Sequence, residues 1–198
     1  MEKIYSNTDF ELWLAFKQGN MAAYERIYTL HINSLYEYGS RFGKDEEIVK
    51  DCIQDLFVKI WTNRNSLTDV ISIRNYLFTS LRGQLFNRLE REKKIIYDDN
   101  IEDNYDFEMV FPTENRLIAI EKDKRLTGKM AAALDKLSPR QKESIYLRFY
   151  EGLSYPELAQ VMNISVKSSY KLIAKALDSL KEHVDPSDIY LFLLSVYK

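Results

Sequence analysis

Lysines at positions 167, 171 and 175 recur every four residues, so a helix would carry their ammonium groups along one face. Ser168 lies beside them, and no acid follows before Asp178. Ammonium and hydroxyl groups in this arrangement suit phosphates and the edges of bases. Tyr170 either stacks on a base or packs inward. A second polar set lies earlier, where Asp51 and Asp55 stand one helical turn apart beside Gln54. A like-charge pair at that spacing costs a few tenths of a kcal/mol unless a cation offsets it. Lys50 and Lys59 could do so locally, a basic partner surface could do so from outside, and a merely solvated face is the plain alternative. Nothing in the chain has the spacing of an enzyme site. His31 and His183 are the only histidines and lie in separate halves, and Cys52 is the only cysteine. His31 falls on the apolar line of its helix, as a core or interface residue would. There is no HExxH pattern and no phosphate-cradling glycine loop, so catalysis, a metal and a cofactor are all unexpected.

The elements that must position these residues are helical. Around the lysines, Leu158 and Met162, then Ile173 and Leu177, repeat at four-residue steps, with Ala159 and Val166 also apolar. Asn163-Ile164-Ser165 reads as the turn between two helices. Asn tolerates a left-handed backbone, Ile164 plugs the corner, and the Ser165 hydroxyl can cap the next helix. The spacing over 154–180 predicts a helix-turn-helix whose second helix would lie in a DNA major groove. An ordinary helical hairpin with a lysine-rich face is the competing reading. Upstream, helices are predicted over roughly 9–17, 21–42, 45–62 and from Ser72 to about 94, with loops at 19–20, 42–44 and 63–71. In the third of these, Ile48, Cys52, Leu56 and Ile60 form one apolar line, widened by Val49, Ile53 and Phe57.

Composition bounds the class. The 198 residues are 45% hydrophobic and 29% charged, which describes a globular protein. A single cysteine excludes an internal disulfide and fits a reducing compartment. The first residues lack a basic start followed by an apolar run, and no stretch reaches membrane-spanning length, so a cytoplasmic protein without membrane insertion is expected. The formal net charge of −2 is awkward for a protein that must hold DNA alone. Charge is segregated, however. Basic residues dominate 82–94 (Arg82, Arg88, Arg91, Lys93, Lys94) and 139–181, while Asp98, Asp99, Glu102, Asp103, Asp106 and Glu108 cluster between with no basic residue among them. The expected architecture is all-α: two small helical domains, over 1–95 and 114–184, joined by an extended acidic linker over 96–113. The C-terminal domain holds the helix-turn-helix. An apolar tail follows over 185–198, which either covers the second domain, clamps the two domains together, or serves an inhibitor.

Over nearly its whole length the chain resembles bacterial sigma factors of the small extracytoplasmic-function (ECF) type. AAYERIYTLHINSLYEYGSRF, IVKDCIQDLFVKIW and NYLFTSLRGQLFNRL follow that family's promoter-melting domain in order, and LDKLSPRQ with the helix-turn-helix follows its C-terminal domain. The resemblance implies that Asp51, Gln54, Asp55 and Phe57, in the pattern D-x-x-Q-D-x-F, dock on core RNA polymerase. It implies that the loop before Ser72 and the helix after it engage the minus-ten promoter element, melting duplex and holding a single strand. Tyr76, Arg82, Gln84, Asn87, Arg88 and Arg91 are the candidate residues there, whereas Phe78 and Phe86 read as core. Lys167, Ser168, Tyr170, Lys171 and Lys175 would read the minus-thirty-five element as duplex. The acidic linker would thread the polymerase channel meant for RNA, and an anti-sigma factor is the expected regulator. Departures are visible. Arg82-Gly83 replaces a common Arg-Asn pair, Leu172 stands at a frequent arginine position, and Lys167-Ser168 replaces a common Gly-Thr. Two other readings remain open: a stand-alone helix-turn-helix regulator, and a polymerase-binding protein that reads no promoter.

Overall fold

The structure, a computed structural model, describes residues 7–43, 45–94, 105–109 and 124–196, and among these there are helices and loops but no strand. They fall into two units, one within 1–40 and 44–99, the other within 41–43 and 100–198.

The first unit contains α1 (Asn7–Lys17), α2 (Met21–Ser40), α3 (Glu46–Thr62) and α4 (Ile73–Lys94). Apolar residues at helical spacing on each form one core, in which Trp13, Phe16, Ile27, Leu35, Leu56, Ile60, Ile73, Phe78 and Leu81 are almost wholly excluded from solvent. α3 begins where expected: the Asp45 carboxylate accepts the Glu47 N–H at 2.9 Å, and Glu46 and Glu47 sit in the first turn, where acids favour the helix dipole. α2 and α3 cross closely at Gly39. A Cβ there would lie 2.6 Å from a methyl of Val49, so a side chain would force the helices apart. The helix expected to reach residue 42 ends at Ser40 instead, and Phe42 is buried in the second unit against Tyr105 (5.7 Å) and Phe107 (5.2 Å).

The second unit contains α5 (Lys124–Asp135), α6 (Pro139–Ile145), α7 (Tyr155–Val161), α8 (Val166–Lys181) and α9 (Pro186–Val196). α6 and α7 open with capping boxes, Ser138 with Gln141 and Ser154 with Glu157, each followed by a proline that suits a first helical turn. α6 runs into a π-helical turn over Tyr146–Tyr150, which patterning at 3.6 residues does not anticipate. The wider turn brings Tyr146 and Tyr150 inward together, their rings 5.4 Å apart. Of the acidic linker, only 105–109 lies within the described residues. That piece is irregular, as expected of a linker, yet Tyr105 and Phe107 are buried. The Tyr105 hydroxyl donates to Glu143, a carboxylate with no solvent exposure.

α9 accounts for the apolar tail as a covering helix. Ile189, Phe192 and Leu193 turn inward within the second unit, Phe192 edge-on to Tyr150 at 6.4 Å. Among the described residues no helix is long and apolar enough to cross a membrane, and no cluster of histidine, cysteine or acidic side chains could hold a metal ion.

Candidate nucleic-acid interface

In the second unit the helix-turn-helix forms at the expected residues. Asn163 adopts a left-handed backbone (φ 52°), Ile164 is half-buried, and the Ser165 hydroxyl accepts the Ser168 N–H at 3.1 Å to start α8. Ser169, Ile173, Ala176 and Leu180 form the buried face of α8. Lys167, Ser168, Tyr170, Lys171 and Lys175 are all exposed, and at about 100° per residue they fall within about 160° of arc. Among the described residues the three lysines form no ion pair, which leaves their charge available to an outside anion. The Ser168 hydroxyl already bonds that of Ser165 at 2.8 Å.

Of the four acids between 139 and 181, two are withdrawn from solvent and two are held by neighbours. Glu143 and Glu151 are buried; Glu151 accepts the Tyr146 hydroxyl at 2.7 Å. Glu157 is taken up by the Ser154 backbone and hydroxyl, and Asp178 pairs with Lys181 at 3.0 Å. Within the helix-turn-helix and the helix before it, buried Glu143 and Glu151 therefore oppose the exposed lysines less than a count of charges suggests. Burial, with the Glu151 charge beside it, pushes the Tyr146 phenol far above its usual range. Arg41, which belongs to this unit, lies 4.3 Å over the Tyr146 ring and partly opposes that shift.

Tyr170 does not pack inward. Its ring stacks on Tyr155 at 3.8 Å and 18°, yet 53% of the residue remains exposed. Arg148 lies 5.1 Å over the same Tyr155 ring and donates to the Leu153 carbonyl at 2.8 Å. Tyr155 and Arg148 are thus part of this surface, although no period in the sequence marks them. The signal available was an aromatic at the first position of α7, fifteen residues before another.

In the first unit, Asp51, Gln54 and Asp55 are exposed along α3, with Val58 (56% exposed) continuing the line. Lys50 is committed to Glu47 (2.8 Å) and Glu46 (3.7 Å), so it does not neutralise the pair. Among the described residues neither Asp51 nor Asp55 has an ionic partner. Phe57 is a correction. It is 2% exposed and packs edge-on to Tyr28 (4.8 Å) and Tyr24 (6.1 Å), so it supports α3 from inside instead of meeting a partner. Val58 takes the exposed place expected of it.

Of the six residues proposed for the minus-ten element, four share one groove and two, Tyr76 and Arg82, lie elsewhere. Gln84, Asn87, Arg88 and Arg91 on α4 line a groove of about 440 Å³ with Cys52, Asp55, Val58, Lys59, Thr62 and Asn63 from α3 and its end. Arg82 lies about 240° around the helix from Arg88 and rests over the Phe86 ring at 4.1 Å. Tyr76 is half-buried at the start of α4, edge-on to Trp13 at 5.2 Å, so its ring is not a free stacking platform. Burial raises its phenol pKa, offset in part by a hydrogen bond with Ser80. Phe78 is core as expected, whereas Phe86 is only half-buried. Gly83 is exposed, with nothing within 4 Å of where a Cβ would stand. A side chain there would meet open space.

A helical unit with an exposed acidic face and a polar groove, and a second unit built on a helix-turn-helix with an exposed lysine face, fit a transcription factor. Residues 27–95 match Sigma-70 region 2, and residues 127–180 match Sigma-70 region 4. The chain belongs to the RNA polymerase sigma factors of the ECF type, non-enzymatic initiation factors that recognise promoters. It is 24% identical over 159 residues to the ECF sigma factor SigM of Bacillus subtilis, covering 79% of this chain and 92% of SigM. It is 27% identical over 172 residues to the sigma factor CnrH of Cupriavidus metallidurans, covering 84% and 89%. Among solved structures, CnrH in complex with the cytosolic domain of CnrY superposes with a TM-score of 0.59 at 23% identity, over 89% of this chain and 96% of that one. RpoE of Bartonella quintana, in complex with the anti-sigma factor NepR, gives 0.58 at 19% identity, over 80% and 94%.

Proposed function

We propose that the α3 face of Asp51, Gln54, Asp55 and Val58 docks on core RNA polymerase, that the 63–72 loop and α4 engage the minus-ten element, and that the exposed face of α8 reads the minus-thirty-five element. The observation that carries this is the exposed carboxylate pair of α3. Two acids one turn apart repel each other; Lys50 is spent on Glu46 and Glu47, and among the described residues Lys59 forms no ion pair with either acid. A basic partner turns that cost into affinity. Polymerase would then present α8 to DNA, which fits a chain whose net charge is −2. This role is exercised in the cytoplasm. An anti-sigma partner fits the same reading, since the solved relative RpoE is held by one. Passage of the acidic linker through the polymerase's RNA channel would require Tyr105 and Phe107 to leave their buried sites.

The test is co-purification with core polymerase followed by run-off transcription from a promoter that rises on overexpression. Asp51→Asn with Asp55→Asn should weaken core binding at least tenfold and abolish initiation, with the fold unchanged. Promoter binding without core would favour a stand-alone regulator. Core binding without initiation would favour an interaction protein.

A further inference from the structure

The segment joining α3 to α4, residues 63–72, contains only a single 3-10 turn over Arg64–Ser66, yet α1 holds it at successive points. The Trp13 indole N–H donates to the Thr68 carbonyl at 3.0 Å. Lys17 Nζ lies 2.7 Å from Asp69 Oδ1. The Asp9 carboxylate accepts the Ile73 N–H at 3.2 Å, at the first residue of α4, while the Ser72 hydroxyl accepts from Asn75. Asp9, Trp13 and Lys17 recur every four residues, so one face of α1 makes all three contacts. Trp13 is 1% exposed, lodged between Phe16 and Tyr76, so the donor is rigidly placed. With the loop held this way, Asn65, Ser66 and Ile71 face solvent, Ile71 at 51% exposure. α1 lies before the residues that match Sigma-70 region 2, which begin at 27.

We propose that α1 is a positioning element for promoter recognition: its Asp9, Trp13 and Lys17 set the conformation in which residues 63–72 meet the minus-ten element. The proposal rests on the reading that this loop engages that element. A loop ordered before DNA arrives does not lose its conformational freedom on binding, and its exposed tip is offered in one arrangement, which sharpens discrimination between sequences. These residues need touch no base themselves.

The experiment uses the full chain with core polymerase and two promoters that share a minus-thirty-five element but differ in the minus-ten element. The readout is the ratio of run-off transcripts. Lys17→Met should lower that ratio about threefold, the size of a partly exposed ion pair, and Trp13→Phe with Lys17→Met about tenfold, as a hydrogen bond is also lost. Core affinity should not change. Exchanging the charges, Lys17→Asp with Asp69→Lys, should restore the ratio, which a general loss of folding would not permit. Equal loss at both promoters, or an unchanged ratio in Lys17→Met and in the double variant, overturns the proposal. Ile71→Ala separates the two levels. If it shifts the ratio while the α1 variants do not, positioning by α1 fails and loop recognition stands. If no variant shifts it, loop recognition fails and the proposal with it.

Discussion

His31 sits half-buried on α2 with the charges of Asp9 and Arg74 near it, and burial pulls its pKa below the usual value near 6.5, Arg74 adding to the shift and Asp9 opposing it. The unfolded chain then binds more protons as pH falls through that value, so stability is complete above it and declines as pH drops toward the folded pKa. The thermal midpoint should fall between pH 7.5 and 5.5, and His31→Gln should flatten the fall; an identical decline in the variant would refute the assignment. Residues of this kind were legible one at a time. Asp51, Gln54 and Asp55 stood out because a like-charge repeat is unusual on a helix, and they are exposed. Phe57 was drawn into the same set by its motif, although it continues the apolar line of Val49 and Ile53 at four-residue steps, and burial follows the line. Arg82 and Arg88 were grouped by charge, but six residues on a helix place them on different flanks.

At the scale of elements, helix starts were the most legible feature, because they rest on local chemistry: the carboxylate of Asp45 and the hydroxyls of Ser154 and Ser165 each accept an otherwise unpaired N–H. The π turn after α6 and the burial of Tyr105 and Phe107 were not, since both depend on tertiary partners such as Glu143. Gly83 offers a clean test of α4. It lies within the helix with open space around its missing Cβ, so Gly83→Ala should stabilise the protein by about 0.5 to 1 kcal/mol in urea unfolding. A loss of stability would mean that α4 needs a glycine for a reason other than propensity. α9 makes the opposite prediction. Phe192 is 4% exposed and packs on Tyr150, so Phe192→Ala should cost about 3 kcal/mol, seen as a lower unfolding midpoint. A neutral result would return the tail to a regulatory role.

For the molecule as a whole, net charge misleads because it counts buried and committed acids equally with exposed ones. Glu143 and Glu151 are enclosed and Glu157 caps a helix, so the helix-turn-helix presents Lys167, Lys171 and Lys175 against little opposing charge. Each lysine that neutralises a phosphate releases condensed counterions, and affinity then falls with salt by about 0.9 in log–log slope per contact. If all three contact phosphates, the full chain alone should bind a duplex carrying its minus-thirty-five element with a slope near −3, and each Lys→Ala change should remove about one unit. Binding should stay weak at physiological salt, because three contacts supply only a small part of the affinity of a self-sufficient reader. A lysine that instead reads a base edge would reveal itself differently: its removal would relax sequence preference at one position. The comparison across the three single variants therefore assigns phosphate or base to each. A slope near −3 that survives in the triple alanine variant would place DNA binding on another surface altogether.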